Sequence, residues 1–196
     1  QYYQRLVHFS KTNPVITLTI TNMGLAAIAD ITAQSVANLD KEFNIVSHQP
    51  FDSYRFMRFV LYQGAFAPIC YKWYSILDKS IPVKMASELP SNTKKFSSFQ
   101  NIYQPVLKRV FADQLFFAPL AVGCFFLVMP LLEGGNWLQI KTKFNELYYP
   151  TLLDNWKVWP LFQLVNFCYV PLFFRLPFAS IMGIFWNTYL SMVNAQ

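Results

Sequence analysis

Charge is scarce in this chain. Lys, Arg, Asp and Glu make up 13% of its 196 residues, about half the ~25% usual in soluble globular domains. Cysteine is scarce too. Cys70, Cys124 and Cys168 each lie in an apolar stretch with no partner at metal-ligand spacing, which leaves them as small buried hydrophobes. The two histidines, His8 and His48, lie far apart and outside the apolar stretches, so neither a His-based metal site nor a triad is supported. No nucleophile–base pair, metal spacing or phosphate loop occurs. The chain is therefore not expected to be an enzyme or to hold a cofactor. There is no Arg-rich helix or RNA-binding signature, and no internal repeat. The formal net charge of +6 is read as basic residues flanking membrane segments and meeting anionic headgroups, with no nucleic-acid partner.

What the chain has is long apolar runs, rich in aromatics. Positions 115–132 read LFFAPLAVGCFFLVMPLL and 158–174 read VWPLFQLVNFCYVPLFF, both without a charge. After Arg175, everything to Gln196 is uncharged. A helix crossing the hydrocarbon core needs ~20 predominantly apolar residues. Hydrophobic residues are 54% of the chain, and twenty Phe and eleven Tyr suit lipid and interface positions. The expected fold is all-α: one polytopic transmembrane helical bundle over 1–196, with four spans and a fifth if the last stretch crosses. Membrane lipids are the expected partners.

Segment one is expected from Pro14, which costs nothing in a first turn, to about Val36. A polar linker with Asp40, Lys41, Glu42 and Pro50 follows. Segment two is expected from about Asp52, suited to an N-cap, to Leu77. The stretch from Ile81 to Tyr103 is the most polar and reads as a loop carrying at most a short surface helix. Segment three is expected from Gln104-Pro105 to Leu132, ended by Glu133-Gly134-Gly135. WLQIKTKFNELYY, from Trp137 to Tyr149, reads as an interfacial amphipathic helix. Segment four is expected from Asn155-Trp156, interrupted around Arg175-Leu-Pro177, before a final span or a helix folded back. Pro68, Pro119, Pro160, Pro171 and Pro177 predict kinked helices, and Gly64, four residues before Pro68, eases the bend there.

Loop charge predicts an orientation. Arg5 and Lys11 precede segment one, while Lys79, Lys84, Lys94, Lys95, Lys108 and Arg109 are assigned to the middle loop. The other loops hold Lys41 and Arg55, then Lys141, Lys143 and Lys157. The N-terminus and middle loop are thus expected in matrix or cytosol. The opening QYYQRLVHFSKTNP lacks the order of a secretory signal. A start at Gln1 rather than Met leads us to expect residues lost ahead of it.

Polar residues inside apolar segments are the candidate site. A mid-bilayer charge costs ~2.5–3.5 kcal/mol on insertion scales and so faces the bundle or a wet cavity. Asp30 and Gln34 share a face of segment one, and Arg55 and Arg58 one of segment two. Arg109 and Asp113 stand at ion-pair spacing, with Gln114 beside them. Gln163 and Asn166 share a face of segment four, and Arg175 lies at its end. Two readings stay open: these groups pair as interhelical glue, worth ~0.6–2 kcal/mol a pair, or they line an aqueous path. Asp30 is expected to pair with Arg58, with Arg175 and Arg55 as alternatives.

The same positions carry a family resemblance. Segment one reads PVITLTITNMGLAAIADITAQ, segment two supplies Asp52, Arg55, Arg58, Gly64, Pro68, Trp73, Tyr74, Leu77 and Asp78, and segment three supplies Lys108, Asp113, Gln114 and Pro119. The end reads NWKVWPLFQLVNFCYVPLFFR, then Trp186, Asn187, Tyr189, Leu190 and Ser191. Over nearly its whole length the chain resembles the 22-kilodalton peroxisomal membrane protein family, also called the Mpv-seventeen family. It departs at Ala29, where the family usually has Gly, and at Ala67 and Tyr71, which replace Gly and His. The resemblance implies a four-span protein of the mitochondrial inner membrane or, alternatively, the peroxisomal membrane. It further implies a weakly selective channel or a factor that maintains mitochondrial metabolite pools. A structural subunit of a larger inner-membrane assembly is the competing expectation, and a homo-oligomer or a larger membrane complex is the expected association.

Overall fold

A computed structural model describes residues 12–36, 50–83 and 103–194. The expectations for the N-terminal segment, the polar linker and most of the middle loop, including its surface helix, lie outside the described residues. Among the described residues all regular structure is helical, in five helices: α1 Pro14–Val36, α2 Ser53–Ser80, α3 Gln104–Leu132, α4 Trp137–Tyr169 and α5 Leu172–Asn194. Two of them, α1 and α3, are long and apolar enough to cross a membrane by length and composition.

The ends follow local chemistry. Pro14 opens α1, and Asp52 caps α2 by accepting the Arg55 N–H at 2.8 Å. Gly134, at φ +77°, lets the chain leave α3 in the left-handed region, with the Gly134 N–H on Leu131 O and the Gly135 N–H on Pro130 O, both at 3.0 Å. A capping box follows at once. Asn136 Oδ1 accepts the Gln139 N–H and Gln139 Oε1 accepts the Asn136 N–H, each at 2.9 Å. This turn lays α4 along α3, where the Gly123 position faces the rings of Phe144 and Tyr148.

The structure corrects three expectations. Trp137–Tyr169 is one continuous helix, not an interfacial helix followed by a separate span, and it runs through Pro150 and Pro160. One proline removes one hydrogen bond, which 33 residues of helix absorb. The break after it falls at Val170, which is extended (φ −96°, ψ 122°), and Pro171; Arg175-Leu-Pro177 lies inside α5. Lys79, Lys108 and Arg109 belong to helices, as do Arg55, Lys141, Lys143 and Lys157, so the loop-charge count behind the orientation loses those members.

α3 holds a feature that periodicity does not signal. Asp113–Phe117 is a π-helical turn, closed by the Ala118 N–H on Asp113 O. In the same register residue 119 would serve Gln114 O, but Pro119 has no N–H. Trp156 Nε1 donates to that carbonyl instead, at 2.9 Å.

The chain divides into two compact units. One holds α1, α2 as far as Tyr71, and α5 from Leu176; the other runs from Lys72 to Arg175. In the first, Asn22 is buried on α1, donates to Gln63 O of α2 at 2.8 Å and meets Ser180 of α5 through its Oδ1. Gly64 gives room for Met23, whose Sδ lies 2.8 Å from where a Cβ would stand.

Candidate functional site

In both units polar side chains are buried and large apolar ones are exposed. Along α3 the buried set includes Arg109, Asp113 and Gln114, whereas Phe111, Leu115, Phe116 and Leu120 face outward. A water-soluble helix has the reverse arrangement. Lipid-facing helices keep their charges inside, paired with one another or with carbonyls.

In the first unit, Asp30 is buried and pairs with Arg55 Nε at 3.2 Å. Gln34 donates to Asp30 Oδ2 at 2.7 Å and holds the Asp52 backbone with both ends of its amide, accepting at 2.8 Å and donating at 3.2 Å. The partner is therefore Arg55 and not Arg58. Arg58 Nε is buried with no hydrogen-bond partner among the described residues. Asp30→Ala should lower stability by about 1–2 kcal/mol. A hydrogen bond to a charged group is worth ~1.5–3 kcal/mol, and Arg55, with 49% of its side chain exposed, is partly screened. A double-mutant cycle with Arg55→Ala, read by unfolding in lipid nanodiscs, should show coupling; strict additivity would refute the pair.

In the second unit a longer network joins four helices. Asp113 is buried. Its Oδ1 accepts Trp73 Nε1, and its Oδ2 accepts the side-chain amides of Gln114 and Gln163, all at 2.9 Å. Trp73 is aimed by stacking on Phe117, with ring centres 5.2 Å apart. Gln163 also donates to Tyr74 Oη at 3.2 Å. Its Oε1 accepts from Asn166 Nδ2 at 2.9 Å, and the same nitrogen reaches Arg175 O at 3.3 Å. Gln114 Oε1 and Asn166 Oδ1 are buried acceptors with no partner among the described residues.

At the end of this chain three charges converge. Asp78 Oδ1 takes an ion pair from Arg109 Nη1 and another from Arg175 Nη1, the latter at 2.7 Å. Arg109 Nε donates to Ile81 O at 2.9 Å, and Arg175 Nε to Val170 O at 3.0 Å. Those carbonyls follow α2 and α4, where cations suit the negative helix ends. Arg175 also lies over the Phe167 ring, 5.4 Å from its centre.

Of the residues expected from sequence, Asp30, Gln34 and Arg55 meet in the first unit, and Asp113, Gln114, Gln163, Asn166 and Arg175 in the second. The expected Arg109–Asp113 pair does not form: Arg109 turns to Asp78, and among the described residues Asp113 is held by neutral donors. The candidate set omitted Asp78, Trp73, Tyr74 and Asn22. Asp78 had a signal, since it follows segment two at helical spacing from Tyr74.

Residues 130–191 match the family model described as the Mpv17 / PMP22 family. Protein SYM1 of Gibberella zeae is 36% identical, over 93% of this chain and 91% of that protein. Protein SYM1 of Saccharomyces cerevisiae is 36% identical, over 95% of this chain and 86% of that protein. The chain belongs to the Mpv17 / PMP22 family. Protein SYM1 of Candida albicans is similar as well, 37% identical over 92% of this chain and 90% of the relative. No solved structure matches. Membership in the Mpv17 / PMP22 family agrees with the apolar helices and their buried polar faces: this is a membrane protein.

Proposed function

We propose that the protein is a weakly selective channel or permeation path for small metabolites in the mitochondrial inner membrane, with the peroxisomal membrane as the alternative, and that it is not an enzyme. In this reading α2 and α4 cross the membrane along with α1 and α3, making four spans. The supporting observation is the second unit's polar interior, where Gln114 Oε1 and Asn166 Oδ1 are left as acceptors without a partner among the described residues. Helix pairing alone would favour satisfied groups, whereas a hydrated path supplies water to such acceptors. Charged and polar linings set ion preference.

The test is reconstitution in planar bilayers. The folded protein should conduct, and Asp113→Asn should shift its cation-to-anion permeability ratio. No conductance from a preparation shown to be folded would overturn the proposal. A second reading, a subunit of a larger inner-membrane assembly, is favoured by exposed aromatics such as Phe111, Phe116, Tyr169 and Phe174. Native gels of solubilised organelle membranes separate the two: migration only as a small species removes the assembly.

A further inference from the structure

We propose that Arg109 and Arg175 form a binding site for a phosphate-type oxyanion, with Asp78 as the resident carboxylate that fills it when no ligand is bound. Two guanidiniums, their side chains 3% and 7% exposed, converge on one carboxylate oxygen. Two cations on one anion leave an excess positive charge, and Asp113, the next carboxylate along the network, is committed to neutral donors.

Both arginines are preorganised. Neither arginine depends on Asp78 for its position, because each Nε is anchored on a backbone carbonyl, Ile81 O or Val170 O, and Arg175 rests on the Phe167 ring. Moving the carboxylate away leaves both forks where they are. Each guanidinium carries five N–H donors, and the Nη2 groups of both have no hydrogen bond among the described residues. Guanidinium forks match the oxygens of phosphate and carboxylate.

Asp78 is the reachable member of the group, with 26% of its side chain exposed, and it lies in the last turn of α2. A ligand therefore meets the replaceable anion first and the fixed cations behind it. The phosphate group could come from a free anion or from an anionic lipid headgroup. Both present the same oxygens to the two arginines. The site stands whether or not the protein conducts, because it is read by binding.

The experiment uses the full chain in nanodiscs of phosphatidylcholine alone, titrated with radiolabelled inorganic phosphate at constant ionic strength. Binding should saturate. Asp78→Asn, which removes the competing charge, should tighten it about tenfold, and Arg175→Gln should weaken it at least about tenfold, about 1.4 kcal/mol in either direction. Arg175→Lys should retain part of it. In a parallel arm the unlabelled protein is placed in nanodiscs containing an anionic phospholipid, and bound lipid is counted by native mass spectrometry, in the wild type and in Arg175→Gln. Phosphate binding in the neutral discs assigns the free anion. Arg175-dependent retention of anionic lipid, without phosphate binding, assigns the headgroup. If the wild type binds neither, with phosphate raised to roughly 50 mM, far above a millimolar Kd, the proposal is overturned. Binding that Arg175→Gln leaves unchanged overturns it equally.

Discussion

Asp113→Ala should destabilise the protein by about 3–5 kcal/mol. The carboxylate is the common acceptor for Trp73, Gln114 and Gln163, and truncation strands three donors at once. Each unsatisfied buried donor costs ~1–3 kcal/mol. The sum is reduced because Gln163 keeps Tyr74 Oη within 3.2 Å and because coupled sites are not additive. Asp113→Asn should cost less, about 1–2 kcal/mol. It keeps one acceptor for Trp73, and Gln114 can turn its unpartnered Oε1 toward the new amide. Equilibrium unfolding in mixed micelles measures both. An alanine variant within ~0.5 kcal/mol of wild type, the usual range for substitutions away from such features, would show that the network adds nothing to the fold.

The polar faces were legible in the sequence because helical spacing alone decides which side chains share a face. Asp30 with Gln34 and Gln163 with Asn166 are spaced that way, and each pair is hydrogen-bonded in the structure. Depth along the neighbouring helix was not legible. Arg55 and Arg58 share a face of α2, and the choice between them turns on the level at which α1 meets it. Gln34 fixes that level by gripping the Asp52 backbone, a side chain-to-backbone contact that no periodicity encodes. The wrong partner for Arg109 has the same origin. Its spacing to Asp113 permits an intrahelical pair, but the nearby α2 end offers both a carbonyl and the Asp78 carboxylate.

The breaks in the chain were misjudged for a related reason. The expected breaks after Tyr149 and around Arg175-Leu-Pro177 hold Pro150 and Pro177, yet both prolines lie inside helices. Each removes only one donor, and other observed sites show how a freed carbonyl is served, as Trp156 serves Gln114 O after Pro119. At Pro171 the chain does turn. Arg175, five residues beyond Val170, bends back to take the carbonyl exposed there. Arg175, expected among the polar candidates at the end of segment four, is thus a buried cap.

Asp78→Ala should be the most damaging change at the arginine pair, and more damaging than removing either cation. With the carboxylate gone, two buried guanidiniums face each other without an anion. Removing one member of a buried ion pair typically costs ~3–5 kcal/mol, and partial exposure of Asp78 places the expected loss near the lower end, about 3 kcal/mol. Arg175→Ala leaves Asp78 still paired with Arg109; it forfeits one charged contact, the Val170 carbonyl and the Phe167 ring, for an expected loss of about 2 kcal/mol. Replacing the triad together, Asp78→Leu with Arg109→Met and Arg175→Met, should recover most of what Asp78→Ala loses, since apolar side chains of similar volume often equal or exceed a buried ionic group in stability. Denaturation of the three variants in one micelle system gives the ranking. If Arg175→Ala proves as costly as Asp78→Ala, neutralisation by the shared carboxylate is not the largest contribution to the cluster's stability, and the carbonyl and ring contacts of Arg175 match it.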